Sequence, residues 1–310
     1  MAYRYLFGPV PSRRLGISLG IDLVPYKTCA FDCIYCECGR TTDLTCERRE
    51  YVPTDRVIAE LDDFLAKAPD LDYVTFAGSG EPTLHSGIGE IISFIKDRYP
   101  RYRVAVLTNS ALFTDPAVRA ALMPADLVVP SLDAVSEEAF SRINRSSPGI
   151  TAGRVLEGLL DFSREYPGEI WLEVFIVPGI NDTGEELRLL KDAVAAIKPD
   201  RVQVNTLDRP GTEDWVRPAS PEAIERIAAM LGGNAGAIGV AYAGRTLPPE
   251  SKDIGETILA TIRRRPCTPR DLATLLGIRP TEVAKYLRVL EAEGLIKPLE
   301  EKRGVFYRAA

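Results

Sequence analysis

Histidine is almost absent: His85 is the only one in 310 residues, beside three methionines and two tryptophans. A structural zinc ion wants four nitrogen or sulfur ligands, usually as two close pairs; His85 lies far in sequence from the cysteine loop at 29–36, and a second pair would have to come from Cys38 and Cys46 at unusual spacing. No stretch approaches the ~20 apolar residues of a membrane span. Near Met1 no apolar run has the length of a signal-peptide core. The chain is therefore expected in the cytoplasm, with no membrane association. Low-complexity tracts are missing, as is any repeat beyond alternating strands and helices. Positive charge is not in excess, since the formal net charge is −6; a polycation built to coat nucleic acid is excluded. Apolar residues make up 45% and charged residues 26%, ordinary for a globular chain with a core of normal size.

What is present is a cluster of thiols. Cys29-Ala30-Phe31-Asp32-Cys33-Ile34-Tyr35-Cys36 places three cysteines in a C-x3-C-x2-C spacing on one aromatic-rich loop. Disulfides are rare in the cytosol, so cysteines gathered on one loop read as metal ligands. Three thiolates can hold three irons of a cubane [4Fe-4S] cluster, whose full protein ligation takes four cysteines. The fourth iron is left open to a small molecule, which points to chemistry rather than electron storage. Cys38 and Cys46 fit no spacing for a second cluster and are expected to be incidental, and Cys267 structural.

The chain around this loop alternates strand and helix. Strands are expected at 15–24, 73–77, 103–107, 127–129, 170–177 and 201–204. Helices are expected at about 54–67, 86–98, 115–122, 136–142, 151–165, 184–197 and 220–231, most carrying an apolar stripe at helical spacing. Ahead of the first strand, the glycine and prolines of Phe7-Gly8-Pro9-Val10-Pro11-Ser12-Arg13-Arg14 are expected to preclude regular structure. Its paired arginines suit either an anionic group or plain surface charge. Six strand-then-helix units argue for a parallel α/β sheet, open or closed into a partial barrel. Each polar or glycine-rich cluster follows a strand, at the edge where parallel α/β folds gather their sites.

One of these clusters is Gly78-Ser79-Gly80-Glu81-Pro82-Thr83. A glycine-rich turn lets backbone approach a ligand closely, and Glu81 adds a carboxylate. His85, just beyond, suits a helix-start, ligand-lining or catalytic role. Glu173 alternates with apolar neighbours and is expected to point into the barrel, towards a substrate group or an arginine.

The cysteine spacing, with an aromatic before the last thiol, and the glycine-rich turn one unit later resemble the signature of the radical S-adenosylmethionine (SAM) superfamily. From Phe7 to Pro210 the chain is similar to the branch grouped with tRNA wyosine-synthase-like iron–sulfur oxidoreductases, without the additional N-terminal cysteines of the wyosine synthases themselves. The resemblance implies a partial (β/α)6 radical SAM barrel over residues 1–248 and an enzyme with two cofactors, a [4Fe-4S] cluster and SAM. It implies that Cys29, Cys33 and Cys36 bind the cluster. Gly78, Ser79, Gly80, Glu81 and Pro82 would receive the methionyl end of SAM, and Asn109, Ser131 and Asp133 its methionyl and ribose groups. Tyr35, with Val177, Pro178 and Gly179, would lie near the adenine. An external one-electron reductant, flavodoxin- or ferredoxin-like, would reduce the cluster. Reductive cleavage of SAM would then give a 5'-deoxyadenosyl radical that abstracts hydrogen from substrate.

Beyond a linker at 246–251 the pattern changes. Helices at about 252–264, 269–276 and 280–293, then two short strands around Lys302-Arg303-Gly304, resemble a small winged helix-turn-helix domain spanning 249–310. Residues 251–310 carry 12 Lys+Arg and 8 Asp+Glu, a net +4, against about −10 for the rest. Val283, Leu287 and Leu290 are expected to pack inward, leaving Arg279, Lys285 and Arg288 outside with Lys302 and Arg303 at the wing tip. A tRNA or other nucleic-acid substrate suits such a helix and wing. Two other readings stay open: a peptide-modifying enzyme whose winged domain grips a leader, and an iron–sulfur redox-sensing regulator.

Overall fold

A computed structural model of the chain describes residues 3–12, 14–238, 254–301 and 304–310. Eight strands form one sheet. Its body is six parallel strands: β2 (Gly16–Ile21), β5 (Tyr73–Phe76), β6 (Arg103–Thr108), β7 (Leu127–Pro130), β8 (Glu169–Phe175) and β9 (Arg201–Asn205). Each coincides with one of the six expected strands. Two strands extend the sheet. β1 (Leu6–Ser12) pairs antiparallel with β2, and β10 (Ala235–Ala237) lies parallel to β9.

β1 corrects the expectation of no regular structure over Phe7–Arg14. Proline cannot donate to a ladder and is tolerated on edge strands and at bulges. β1 is an edge strand, and its register breaks between Phe7 and Val10, where Pro9 sits. Arg13 lies outside the described residues.

Helices cover the sheet because their apolar residues recur at helical spacing. α1 (Thr54–Leu65) buries Val57, Leu61 and Leu65, and α2 (Ile88–Arg98) buries Ile88, Ile91, Ile92 and Ile95. α3 (Pro116–Leu122), α4 (Glu137–Asn144), α5 (Ala152–Glu165), α6 (Gly184–Ile197) and α7 (Pro221–Leu231) follow the later strands in turn. Four of them, α4 to α7, start on a Ser or Thr whose hydroxyl accepts from the first-turn backbone. Fully burying an isoleucine is worth roughly 1.5–3 kcal/mol, so the four of α2 fix that helix against the strands. A small parallel pair, β3 (Thr28–Cys29) and β4 (Asp43–Leu44), pins both ends of the cysteine loop.

The C-terminal residues have an apolar cluster of their own. α8 (Ile254–Arg264), α9 (Pro269–Leu276) and α10 (Pro280–Ala292) bury Ile258, Ile262, Leu272, Val283, Leu287 and Leu290 together. β11 (Ile296–Glu301) and β12 (Gly304–Ala309) form an antiparallel pair, with Phe306 buried. Thr268 and Asp271 cap α9 reciprocally, and Gly277 ends it at φ 64°. The 246–251 linker, Lys302 and Arg303 lie outside the described residues.

Two arginines tie this part to the strand ends. Arg209 donates to the Pro266 carbonyl (3.0 Å) and to the Asp271 carboxylate (2.7 Å). Arg264 donates to the Asp22 carboxylate (3.0 Å) and lies over the Phe7 ring, 4.0 Å from its centroid.

Candidate cluster and SAM site

Every residue singled out for the site lies after a parallel strand, on the C-terminal edge of the sheet. The cysteine loop follows β2, and the glycine-rich turn follows β5. Asn109 follows β6, Ser131 and Asp133 follow β7, and Val177, Pro178 and Gly179 follow β8.

Each of the three loop cysteines meets a side-chain nitrogen donor, and the three donors come from separate parts of the chain. Lys27 Nζ donates to Cys36 Sγ (3.1 Å), Asn109 Nδ2 to Cys29 Sγ (3.4 Å) and Asn144 Nδ2 to Cys33 Sγ (3.5 Å). Burial pushes the Cys29 thiol up to about 12 and that of Cys33 well above its usual range, with Glu81 and Asp133 respectively adding repulsion. Cys36 moves the other way, down to about 6, through a hydrogen bond from Cys38 and the Lys27 ammonium. Donors aimed at sulfur are what thiolate ligands of an iron–sulfur cluster require. Three sulfurs, each with its own N–H donor, fit such a cluster; among the described residues no group of three or more Cys, His, Asp or Glu is placed to hold a metal ion.

The glycine-rich turn is packed against this loop. A Cβ at Gly80 would collide with the Thr28 carbonyl, and one at Gly78 with the Asp22 carboxylate. Ser79 donates its hydroxyl to Asp22 (3.2 Å) and accepts from the Lys27 backbone N–H (3.1 Å). Pro82 opens a short 3₁₀ turn, Pro82–Leu84. Glu81, 2% exposed, receives four donors: Thr83 N–H (3.1 Å) and hydroxyl (2.6 Å), Thr108 hydroxyl (2.7 Å) and Asn109 N–H (2.7 Å). Burial raises its pKa despite these bonds. Its carboxylate braces the loops after β5 and β6 against each other.

Tyr35, Asn109, Ser131 and Asp133 line one pocket, together with Phe31 and Asn144. Asp133 accepts from the Tyr35 hydroxyl (2.6 Å), Asn144 Nδ2 (2.8 Å) and the Phe175 N–H (3.1 Å). Burial lifts its carboxyl to about 6, and these donors only partly oppose the rise. The Tyr35 ring stacks on Phe175 at 3.7 Å. Asn144, 3% exposed, was not singled out by the sequence. Its Oδ1 is buried without a hydrogen-bond partner, an acceptor left over at the wall of this pocket. Nothing in the sequence separates Asn144 from any asparagine that ends a helix.

Val177, Pro178 and Gly179 are not in that pocket lining. Val177 is buried in the core, while Pro178 and Gly179 are exposed. Asn181 links this turn to the site, donating to the Asp133 carbonyl (2.7 Å) and accepting from the Val177 N–H (2.7 Å). Glu173 pairs with Arg14 and accepts from Asn205 Nδ2 (2.8 Å), so an arginine is its partner. His85 is fully buried, with Nε2 on the Val52 carbonyl (2.8 Å) and Nδ1 accepting from the Gly87 N–H (3.1 Å), a structural arrangement. Cys38 Sγ lies 3.9 Å from the Gly78 carbonyl, Cys46 packs against the core, and Cys267 is buried among the C-terminal elements.

A parallel α/β sheet with a three-cysteine loop and a polar pocket on the same edge suits an iron–sulfur enzyme. Residues 23–193 match the Radical SAM superfamily, and the chain belongs to it. It is a radical SAM enzyme. Enzymes of this superfamily use a [4Fe-4S] cluster and SAM, and generally need an external reductant. A UPF0026 protein of Methanocaldococcus jannaschii is 32% identical over 306 residues, covering 97% of this chain and 94% of that protein. A protein of Brachyspira hyodysenteriae named GTPase Obg is 36% identical over 294 residues, which is 94% of this chain but only 43% of that protein. The crystal structure of a radical SAM methyltransferase from Sphaerobacter thermophilus shares the fold at TM-score 0.56 and 18% identity, over 72% of this chain and 67% of that one. No helix among the described residues is long and apolar enough to cross a membrane.

Proposed function

We propose that this enzyme cleaves SAM at the edge formed by the loops after β2, β5, β6 and β7, and uses the product to abstract hydrogen from a nucleic-acid substrate. The observation that carries the first half is that three cysteine sulfurs, each with its own side-chain N–H donor, share one edge of the sheet with a pocket holding a buried, unpartnered Asn144 Oδ1. Cys29, Cys33 and Cys36 hold the cluster. Backbone of Gly78, Ser79 and Gly80 receives the methionyl group. Pro82 and Glu81 fix the shape of that turn. Asn109, Ser131 and Asp133 face the methionyl and ribose groups, and Tyr35 with the Val177–Gly179 turn borders the adenine side. When bound, the cluster and SAM would supply a 5'-deoxyadenosyl radical for hydrogen abstraction. The protein's part is to bind, orient and exclude water and oxygen. Anaerobic reconstitution with iron and sulfide, then SAM and a one-electron reductant, should give 5'-deoxyadenosine. Protein that takes up the cluster but forms none would overturn this reading.

The second half rests on residues 249–310 acting as a winged helix-turn-helix domain. Arg279, Lys285 and Arg288 are exposed on or beside α10, while Val283, Leu287 and Leu290 face inward. Charges so placed suit phosphate contacts. Full-length protein should bind tRNA with log affinity falling linearly with log salt, at a slope of about −0.7 to −0.9 per neutralised phosphate. Arg288→Ala and Lys285→Ala should each flatten the slope. Absence of binding to tRNA and duplex DNA at low salt would leave the domain a protein-contact module. Comparison of tRNA nucleosides from a deletion strain and its parent by mass spectrometry would identify the product.

A further inference from the structure

Lys27 occupies a costly position. Its side chain is buried, 2% exposed. Its backbone is left-handed, at φ 55°, where a residue with a Cβ is strained and glycine is the usual choice. The backbone conformation has a visible use. It lets the Lys27 N–H reach the Ser79 carbonyl (3.1 Å) while its own carbonyl accepts from Thr42 (3.0 Å) and Asp43 (3.2 Å). Glycine would serve that purpose equally well. The ammonium needs a separate explanation, because a buried charge without a counter-charge is expensive. Among the described residues no carboxylate lies within ion-pairing distance of it. Its partner is the Cys36 sulfur at 3.1 Å.

The three sulfurs are therefore not equivalent. Cys29 and Cys33 receive neutral amide donors from Asn109 and Asn144, and Cys36 receives a full positive charge. The buried acids nearby push in the opposite sense: Glu81 acts on Cys29 and Asp133 on Cys33. A cluster on three thiolates is anionic and gains one more negative charge when it accepts an electron from a one-electron donor. No bond forms or breaks in that step, and the ammonium keeps its proton. A fixed cation beside a ligand sulfur stabilises the reduced state more than the oxidised one. Local charge and hydrogen bonds to sulfur are the levers by which proteins set cluster potentials.

We propose that Lys27 is a positioning residue that raises the reduction potential of the cluster through its ammonium on the Cys36 sulfur. The inference rests on the cluster assignment above, and its test separates the two. Full-length wild type, K27M, K27Q and K27R are reconstituted anaerobically, assayed for iron, and titrated potentiometrically with detection of the reduced cluster by electron paramagnetic resonance. At the wild-type midpoint the reduced-to-oxidised ratio should fall about tenfold in K27M and K27Q, a shift of about 59 mV to more negative potential for a one-electron couple. K27R, which keeps the charge, should stay within about twofold of wild type. Iron-loaded K27M and K27Q with the wild-type midpoint would overturn the proposal, as would K27R shifting as far as K27M. Should K27M and K27Q both fail to hold iron while K27R holds it, Lys27 serves cluster retention and the tuning role is wrong. A wild type that takes up no cluster would refute the site assignment itself.

Discussion

Replacing Cys29, Cys33 and Cys36 together by alanine should reduce iron from about four per reconstituted chain to near zero. Cluster absorbance should go with it, and 5'-deoxyadenosine formation should drop to background. The expectation follows from how completely the loop is built for sulfur. β3 and β4 pin its ends, and Asn109, Asn144 and Lys27 each aim an N–H at one thiol. Removing the thiols leaves a buried ammonium with no partner, and breaking a buried pair this way costs roughly 3–5 kcal/mol. The cluster-free triple variant should therefore melt below the cluster-free wild type. Because Lys27 faces Cys36, the single Cys36→Ala variant should account for most of that loss. Four irons retained in the triple variant would sink the assignment. About eight in wild type would mean that Cys38 and Cys46 ligate metal as well.

The cysteine loop was legible because ligand spacing is local: three thiols within eight residues need no tertiary contact to be read. Strand and helix order was legible for a similar reason, as with the isoleucines of α2, whose spacing declares one buried face. Placing the polar clusters on one edge needed only the rule that parallel sheets put their loops there. What stayed hidden depends on residues distant in sequence. β1 was obscured by Pro9 and Pro11, since the sequence does not say that this segment forms an edge and carries a bulge. Asn144 gains its meaning only when α4 brings it beside both Cys33 and Asp133. Lys27 reads as an ordinary turn lysine until Cys36 folds back over it. Glu81 was legible as a site residue but not in its manner of action, because its donors come from the turn itself and from β6.

That manner of action sets the outcome for Glu81→Ala. The substitution removes the acceptor of four donors in a fully enclosed position. The two threonine hydroxyls can rotate to other partners, but the N–H groups of Thr83 and Asn109 are fixed by the backbone. Leaving a buried donor unsatisfied costs roughly 1–3 kcal/mol, so with two such donors Glu81→Ala should lower unfolding free energy by about 2–6 kcal/mol. SAM affinity should fall as well, because Asn109 and the Gly78–Gly80 turn lose their common anchor. Iron content should be preserved, since no cysteine sulfur bonds to Glu81. Glu81→Gln keeps the shape and one acceptor oxygen, and should sit between wild type and alanine. The pH dependence gives the sign. Burial raises the Glu81 carboxyl above its ordinary 4.5 in the fold. The proton is thus held more tightly in the folded protein than in the unfolded chain, and the stability this adds is complete below about 4.5 and disappears as pH rises through the higher folded value. Glutamine, which carries no charge at any pH, should therefore be least costly at neutral pH and most costly on the acid side. Melting of the cluster-free protein across that range, beside calorimetric titration of SAM on the reconstituted protein at neutral pH, makes the measurement. Unchanged SAM affinity in Glu81→Ala with a lowered melting temperature would detach the glycine-rich turn from the SAM site while leaving its bracing role intact.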